Sequence, residues 1–483
     1  MNIVTPFFQQ CTQNPQATAF VEGEQTLTYA EFKSRIEKIA TCLQAKQVQN
    51  RCIAIALDRG INAACAIYGV LSAAAIYLPL DIKNPATRLQ FITQDAQPEY
   101  IIGQGKAPEW LENSAIWLDI DPLLSTQAQH ITPLSIEPTA LAAILYTSGS
   151  TGKPKGVALS HQALLNFSSW AGKTFAINEQ ERIASLAPFH FDLSIFDLFP
   201  SLANGASVYF LPARLILSPS RLTGWLAEQQ ITSWYTVPSL LSFIALKGAL
   251  GTTPLPHLKR ILFAGEIFPT QQLIKLADLL PKVELYNLYG PTETNVCCYW
   301  PVDRQRLSAE GTIPIGLPAC NAQLSIKSDT GELQVNSLNN FSGYWQQGKL
   351  QPAHSTSYAT GDKVSLNRYA EYAYHGRLDR MLKCSGYRVE PAEIEQCINQ
   401  LDSIENCAVV GIKDSTSGQR PAAVVVLRKG ATLSAAIKPV RQRLPPYMQP
   451  CQFIVLDSLP VLSNGKIDYQ AIQDLFHKDK SPK

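Results

Sequence analysis

Apolar runs with the character of buried β-strands alternate with helical patterns in the first part of this chain, and this alternation constrains the fold most strongly. Helical patterns cover 29–45, 219–229 and 269–280. The strand-like runs are 52–57, 142–146, 207–211, 233–237, 260–264 and 283–288. Strands that alternate with helices predict βαβ units and parallel sheets. The predicted fold class is therefore α/β.

After residue 300 the pattern changes to short antiparallel strands and turns. The segment 376–380 then introduces a second part of the chain, which we predict to be a small α+β unit. Its predicted elements are a helix at 391–400, strands at 408–412, 422–427 and 453–456, and a helix near 433–444. A chain of 483 residues exceeds what one hydrophobic core organises. We predict a boundary at Asp379, with domains 1–378 and 379–483.

Composition favours a cytoplasmic protein with reduced thiols. The formal net charge of +2 gives no indication of a nucleic-acid surface. The 11 cysteines include no Cys-x-x-Cys pair with metal-ligand spacing. The first residues lack the basic and apolar regions of a signal peptide.

One segment, 61–80, is apolar enough and long enough to resemble a membrane span. Asn62, Gly69 and Ser72 interrupt it, and Asp81 follows it directly. We therefore predict a buried helix that leads into a short strand.

The sharpest motif is the segment 146–156, Tyr-Thr-Ser-Gly-Ser-Thr-Gly-Lys-Pro-Lys-Gly, which follows a strand-like run. Small hydroxyl residues and glycines let backbone N–H groups close around phosphate oxygens, and lysine adds positive charge. No Ser or Thr follows Lys153, so the motif is not a Walker A loop. The alternative is a flexible surface linker, which is common for runs of this composition.

Three further clusters have the residues of a nucleotide site. In 286–294, a Gly-Pro turn follows a strand, where open α/β sheets bind ligands. Its Tyr289 is suited to stack on a base and its Glu293 to hold Mg²⁺. Asp362 follows a turn and precedes Arg377 by 15 residues, and it is suited to accept ribose hydroxyls. The segment 463–468 presents Lys466. Each cluster alone is also compatible with an ordinary turn.

Together the four clusters resemble, in order and interval, the adenylate-forming superfamily of acyl-CoA synthetases, luciferases and adenylation domains of non-ribosomal peptide synthetases. The resemblance covers 28–466. It implies a large N-terminal domain of parallel-rich sheets sandwiched with helices, plus a small mobile α+β C-terminal domain hinged at Asp379. The chain departs from the family pattern at Ala359, where arginine is usual, and in the shortened region 343–358.

The resemblance implies ATP and Mg²⁺ as the nucleotide and the metal ion. The implied residues of the phosphate loop are Thr147, Ser148, Gly149, Ser150, Thr151, Gly152 and Lys155. Those implied around adenine and ribose are Gly265, Glu266, Asn287, Tyr289, Gly290, Asp362, Tyr374 and Arg377. Thr292 and Glu293 are expected at the α-phosphate and Mg²⁺, and Lys466 is expected to bridge the α-phosphate and the substrate carboxylate. Lys383, Gly386 and Arg388 are expected to act after the C-terminal domain rotates.

Asp192 indicates the substrate class, because in amino-acid-activating members this position binds the α-ammonium group. A helix cap near Ser194 is the alternative role. The resemblance places these residues around the substrate: Asp192, Leu193, Phe196, Tyr235, Leu262, Ala264, Leu288, Val296 and Cys297. This small apolar set is most similar to that of stand-alone L-proline–carrier protein ligases, which act in pyrrole-forming and anatoxin (toxin) pathways.

The resemblance implies L-proline as substrate and a separate peptidyl carrier protein with a phosphopantetheine arm as partner, since no carrier segment follows Lys466. No nucleic-acid or membrane partner is expected. Two enzymatic alternatives remain: a carrier ligase for D-alanine or another small apolar amino acid, and an acyl- or aryl-CoA ligase, against which Asp192 argues. A non-catalytic nucleotide-binding module is the third alternative.

Overall fold

The computed structural model describes residues 1–111, 115–127, 129–131, 134, 136–309, 311–414, 418–462 and 466–478. Its α-helices are Thr5–Gln13, Tyr29–Ala45, Ile61–Ser72, Ala86–Ala96, Ile120–Ser125, His161–Thr174, Ser194–Ala203, Pro219–Glu228, Pro238–Lys247, Thr270–Leu279, Pro391–Asn399, Leu433–Arg443 and Tyr469–Lys478. Short 3₁₀ helices occur at Ala213–Leu217, Arg304–Arg306 and Pro446–Met448.

Mixed sheets with mainly parallel strands form the N-terminal unit. The first sheet has the strand order Leu317–Pro318, Cys298–Pro301, Glu284–Tyr289, Arg260–Phe263, Ser233–Thr236, Arg182–Ser185, Ser207–Phe210, Thr18–Glu22 and Gln25–Thr28. The second has the order Lys349–Pro352, Gly343–Gln346, Lys155–Ser160, Leu141–Thr147, Ile76–Pro79, Cys52–Ala56, Tyr100–Gly103 and Ile116–Asp119. Antiparallel strand pairs occur only toward the edges of these sheets, at both edges of the first and at one edge of the second. An example is the pair Glu284–Tyr289 and Cys298–Pro301.

Antiparallel strands follow toward the C-terminus. One sheet has the order Gln323–Ile326, Glu332–Asn336, Ser357–Leu366 and Tyr372–Arg377. The sheet of the C-terminal unit has the order Tyr387–Val389, Leu382–Cys384, Gly418–Leu427 and Ile404–Asp414, and Phe453–Val455 pairs in parallel with Gly418–Leu427. Buried side chains cover both faces of this last sheet, so the C-terminal unit has its own core.

Helices between the two mixed sheets create the largest core. The helix Tyr29–Ala45 begins with a capping box in which Thr28 and Glu31 exchange hydrogen bonds. Its buried residues recur at helical spacing and face the helix Ile61–Ser72. A Cβ at Gly69 would lie 2.5 Å from Ile39 Cγ2, so glycine permits the close approach of these helices. The predicted α/β class, with helices sandwiched by parallel-rich sheets and a smaller C-terminal unit, is confirmed.

The apolar segment 61–80 is a helix followed by the strand Ile76–Pro79, as predicted. Within the described residues, no helix combines the length and apolarity needed to cross a membrane. The helix predicted at 391–400 ends at Asn399, and the strand predicted at 408–412 extends over Ile404–Asp414. The prediction omitted several short strands, such as Arg182–Ser185, because a run whose apolar residues are only Ile183 and Ala184 is too weak a pattern to be recognised.

Candidate active site

A cavity of about 70 Å³ lies where the strands Ser233–Thr236 and Arg260–Phe263 end and the C-terminal unit meets the N-terminal unit. Carboxyl ends of parallel strands are the usual ligand-binding edge of such sheets. Of the predicted substrate residues, those in its wall are Asp192, Leu193, Tyr235, Ala264 and Val296. Apart from the Asp192 carboxylate and the Tyr235 hydroxyl, these wall side chains are apolar.

The remaining predicted substrate residues lie behind this wall. Phe196 is fully buried and contacts the Tyr235 ring edge-on, with 5.5 Å between ring centroids. Leu262 and Leu288 belong to the same hydrophobic cluster as Tyr235, whereas Cys297 packs into a neighbouring cluster. These residues do not line the cavity themselves. They pack behind side chains that do, such as Tyr235.

Asp192 is held by a side chain from the Gly-Pro turn. The Thr292 hydroxyl donates a hydrogen bond of 2.7 Å to Asp192 Oδ2. Burial raises the pKa of Asp192, and the bond from Thr292 opposes that rise only in part. The helix Ser194–Ala203 begins without a side-chain cap, so the structure does not support the helix-cap alternative. A cationic ligand in the cavity would compensate the carboxylate.

Glu293 is the centre of a buried charged cluster. Its Oε1 lies 3.3 Å from Lys155 Nζ and accepts from the Tyr344 hydroxyl at 2.9 Å. Arg388 donates to both carboxylate oxygens, at 3.0 and 3.2 Å. Burial alone would raise the pKa of Glu293, but the Arg388 and Lys155 charges outweigh it and lower the pKa to about 2. Glu293 is therefore a carboxylate throughout the physiological range.

The predicted phosphate loop connects the strands Leu141–Thr147 and Lys155–Ser160. A Cβ at Gly149 would lie 2.1 Å from the Lys153 carbonyl oxygen, so the turn requires glycine. The buried Thr147 Oγ1 has no hydrogen-bond partner in the described part of the chain. A buried polar atom of this kind is expected where a polar ligand completes the site. Ser150 and Thr151 are exposed at the tip of the loop.

The predicted adenine residues line an adjacent cavity of about 150 Å³. Its wall includes Gly265, Glu266, Asn287, Tyr289, Gly290 and Tyr374. Asn287 Nδ2 donates to the Pro314 carbonyl oxygen at 2.8 Å, which fixes its amide. The cavity is therefore bounded by the same motifs that the sequence singled out.

The predicted ribose residues Asp362 and Arg377 form one hydrogen-bonded set with Tyr289, which was predicted at the adenine. The Tyr289 hydroxyl and the Arg377 guanidinium both donate to the buried carboxylate of Asp362, the latter at 3.0 Å. Arg377 Nε also donates to Asp379 Oδ1 at 2.8 Å. The predicted hinge residue is thus bound directly to a predicted ribose residue.

The C-terminal unit places a hairpin loop against these cavities. The Gly386 N–H donates to Glu266 Oε1 at 2.8 Å. Lys383 Nζ lies over the rings of Tyr289 and Tyr374, 5.4 and 5.7 Å from their centroids. Lys383, Gly386 and Arg388, which the sequence assigned to a rotated state, are therefore all at the site.

Lys466 is not brought to the site in this arrangement. It is exposed in the C-terminal unit and lies outside the wall of the Asp192 cavity, where Lys383 is present instead. In this arrangement of the described residues, Lys383 and Arg388 of the C-terminal unit line the Asp192 cavity and Lys466 does not. The turn residues Ser463, Asn464 and Gly465 lie outside the described residues.

Sequence reasoning missed several residues of the site. Tyr344 contacts both Lys155 and Glu293, but it lies in the region that looked shortened. Asn295 and Met381 line the Asp192 cavity. Asn295, four residues after Pro291, adjoins a recognised motif, which was the available signal. Met381 lies between the predicted residues Asp379 and Lys383, whereas Tyr344 lacks such a signal because long-range packing brings it to the site.

The chain belongs to the AMP-binding enzyme family. The model of the AMP-binding enzyme family matches residues 7–345, and that of the AMP-binding enzyme C-terminal domain matches residues 393–466. These matches cover all of the first mixed sheet, most of the second and most of the C-terminal unit.

Two curated proteins and one solved structure are similar to this chain over most of its length. The chain is 36% identical to an L-proline--[L-prolyl-carrier protein] ligase of Streptomyces coelicolor, covering 95% of this chain and 94% of the relative. It is 33% identical to the protein of the same description from Pseudomonas fluorescens, covering 95% and 96%. The fold of the adenylation–PCP protein NpsA-ThdA from Klebsiella oxytoca is similar, with a TM-score of 0.83, 18% identity and coverage of 99% and 97%.

Proposed function

We propose that this protein activates L-proline with ATP to give prolyl-AMP and pyrophosphate, and then transfers the prolyl group to the phosphopantetheine thiol of a separate carrier protein. The observation that carries the proposal is the Asp192 carboxylate, held by Thr292 in the wall of a small cavity to which the other predicted substrate residues contribute mainly apolar side chains. The similarity to L-proline--[L-prolyl-carrier protein] ligases over nearly the whole chain supports it.

The cavity matches the chemistry of proline. The secondary ammonium of proline has two protons, and one of them is directed to Asp192. Tyr235, Ala264 and Val296 offer the ring a compact apolar surface. Apart from Asp192, which is assigned to the substrate ammonium, none of the predicted substrate residues in this wall carries a charge that would pair with an ionised substrate side chain. Apolar pockets separate neighbours by only about 1–3 kcal/mol per methylene, so weak activation of similar amino acids is expected.

ATP is proposed to lie across the neighbouring motifs. Adenine occupies the cavity of Asn287 and Tyr374, and the ribose hydroxyls bind to the Asp362 carboxylate. The loop at 147–155 surrounds the β- and γ-phosphates, where Thr147 Oγ1 gains a partner and Lys155 supplies charge.

The residues present are compatible with Mg²⁺. Mg²⁺ prefers oxygen ligands and is commonly bound by one or two carboxylates together with substrate phosphates. Glu293 would hold it, with the Thr292 hydroxyl beside the α-phosphate, once the Arg388 guanidinium moves from the carboxylate. When bound, Mg²⁺ supplies positive charge where phosphate charge accumulates.

In the first step a proline carboxylate oxygen attacks the α-phosphorus, and the bond to the leaving pyrophosphate breaks. No general base is needed, because the carboxylate is ionised at neutral pH. We propose that Lys466 supplies a cation between the two anions and reaches them when the C-terminal unit rotates about Asp379. Domain closure of this kind is a common way to complete a site.

The described arrangement is proposed to serve the second step. The thiol sulfur attacks the acyl carbon, the bond to the AMP phosphate oxygen breaks, AMP leaves and the thiol proton passes to solvent. The hairpin loop with Gly386 closes over the Asp192 cavity, so it would border the path of the thiol. The domain boundary at Asp379 is part of the same proposal.

Amino-acid-dependent exchange of pyrophosphate into ATP tests the proposal. Across the twenty standard amino acids and D-alanine, L-proline is expected to give the highest rate. Asp192→Asn is expected to abolish most of that rate, while Asp58→Asn, an exposed aspartate outside the Asp192 cavity, should leave it unchanged. A higher rate with several other amino acids would refute proline as the substrate.

A further inference from the structure

A buried ion pair joins the two units at a distance from the reacting groups. Arg88, in the helix Ala86–Ala96, donates to Glu393 in the helix Pro391–Asn399. Their side chains are only 9% and 7% exposed. The same guanidinium lies 3.9 Å from the sulfur of Met448, which is fully buried. The N-terminal unit thus inserts a charged side chain into the face of the C-terminal unit.

Aromatic packing extends this contact toward the substrate cavity. The Tyr387 ring stacks on Tyr447, with centroids 4.0 Å apart, and on Phe191 at 5.6 Å. Tyr387 belongs to the hairpin loop that contains Gly386, and Phe191 directly precedes Asp192. The ion pair therefore lies on one continuous interface with the loop that covers the cavity.

The Arg88 and Glu393 charges are buried only while the C-terminal unit packs against the N-terminal unit as it does here. Burial raises the pKa of Glu393 even with Arg88 beside it. Removing one partner of a buried ion pair leaves an uncompensated charge, which is strongly unfavourable. When the C-terminal unit rotates away, both side chains return to water and the cost disappears. A change at either residue should therefore act on the equilibrium between the two arrangements.

We propose that Arg88 and Glu393 are positioning residues for thioester formation, whose ion pair holds the C-terminal unit in the arrangement that presents the Gly386 loop to the substrate cavity. This inference rests on the proposed two-step function. It predicts that the pair contributes to the second step and not to the first.

Glu393→Gln is the sharpest variant, because arginine retains its charge and stays buried without a carboxylate. Pyrophosphate exchange should stay within about twofold of wild type, which also shows that the variant folds. Single-turnover transfer from preformed prolyl-AMP to D-pantetheine should fall by about tenfold or more. Arg88→Lys should retain part of the rate, and the charge exchange Arg88→Glu with Glu393→Arg should restore part of it.

A matched control is Arg51→Ala, which breaks an exposed pair with Glu99 inside the N-terminal unit. Both half-reactions should be unchanged in this variant. Unchanged transfer in Glu393→Gln, or an equal loss in both half-reactions, would overturn the proposal.

A second readout does not depend on the substrate. Hydrogen–deuterium exchange should increase at 382–389 in Glu393→Gln, because the Gly386 N–H loses its bond to Glu266 when the units separate. The wild-type protein could fail to exchange pyrophosphate into ATP with proline while Glu393→Gln still loses amide protection at 382–389. That result would refute the proposed substrate and retain the role of the ion pair. Unaltered protection would refute that role.

Discussion

Arg388 donates to both carboxylate oxygens of Glu293, at 3.0 and 3.2 Å, and so joins the C-terminal unit to the proposed metal ligand. Under the proposed function, Glu293 would hold Mg²⁺ only after this guanidinium has moved away. The proposed rotation of the C-terminal unit would therefore exchange one cation near Glu293 for another. This contact makes the charge of Glu293 important in both arrangements, and it leads to the first prediction.

The stability of the protein should depend on the charge of Glu293 at acidic pH. Its pKa is about 2 in the folded protein against an ordinary value of 4.5. Because the folded-state pKa is lower, the unfolded chain binds more protons in this window, and stability is lost as pH falls. Urea unfolding between about pH 5 and pH 2.5 should show a smaller loss for Glu293→Gln than for wild type. Equal losses would contradict the role of the cluster.

Asp192 should give proline binding a distinctive pH dependence. Burial raises the pKa of Asp192 in the free protein, so lowering the pH protonates it and removes the partner of the substrate ammonium. Calorimetric proline affinity should decline toward acidic pH, and Asp192→Asn should bind about tenfold to hundredfold more weakly, with a flatter profile. If the proline affinity of Asp192→Asn changed with pH as steeply as that of wild type, another group would control the pH dependence of binding.

The size of the cavity should determine which amino acid is activated. Ala264 lies in the cavity wall and is nearly buried, at 5% exposure. Ala264→Val would fill the space of the ring, raising KM for proline and improving the relative rate with alanine. The rates of pyrophosphate exchange into ATP with proline and with alanine would measure this change. Leu250→Val, a conservative change in the separate cluster under the first sheet, is the control and should preserve the preference.

The phosphate loop should not tolerate a side chain at position 149. Gly149→Ala places its Cβ against the Lys153 carbonyl oxygen, so the loop must open and ATP binding should fall by at least about tenfold. Gly224→Ala, where a Cβ meets nothing within 4 Å, is the matched control and should bind ATP normally. Fluorescence titration with a labelled ATP analogue gives both affinities, and normal binding by Gly149→Ala would refute the assignment.

The sequence predicted the elements whose pattern is local, and it predicted motif residues that short turns bring together. The helix Ile61–Ser72 and the Asp362–Arg377 pair are examples. It did not predict contacts such as Arg88 with Glu393, which are 305 positions apart and depend on how two units dock. The same docking explains why Lys466 lies outside the cavity, since no local pattern encodes the rotation of a domain.

The most direct test of the central claim is a crystal structure of the protein with a non-hydrolysable prolyl-AMP analogue. The account predicts that the pyrrolidine nitrogen lies within about 3 Å of an Asp192 carboxylate oxygen, with the ring against Tyr235, Ala264 and Val296. An analogue whose nitrogen points away from Asp192, or an Asp192 side chain with no cationic group beside it, would contradict the account.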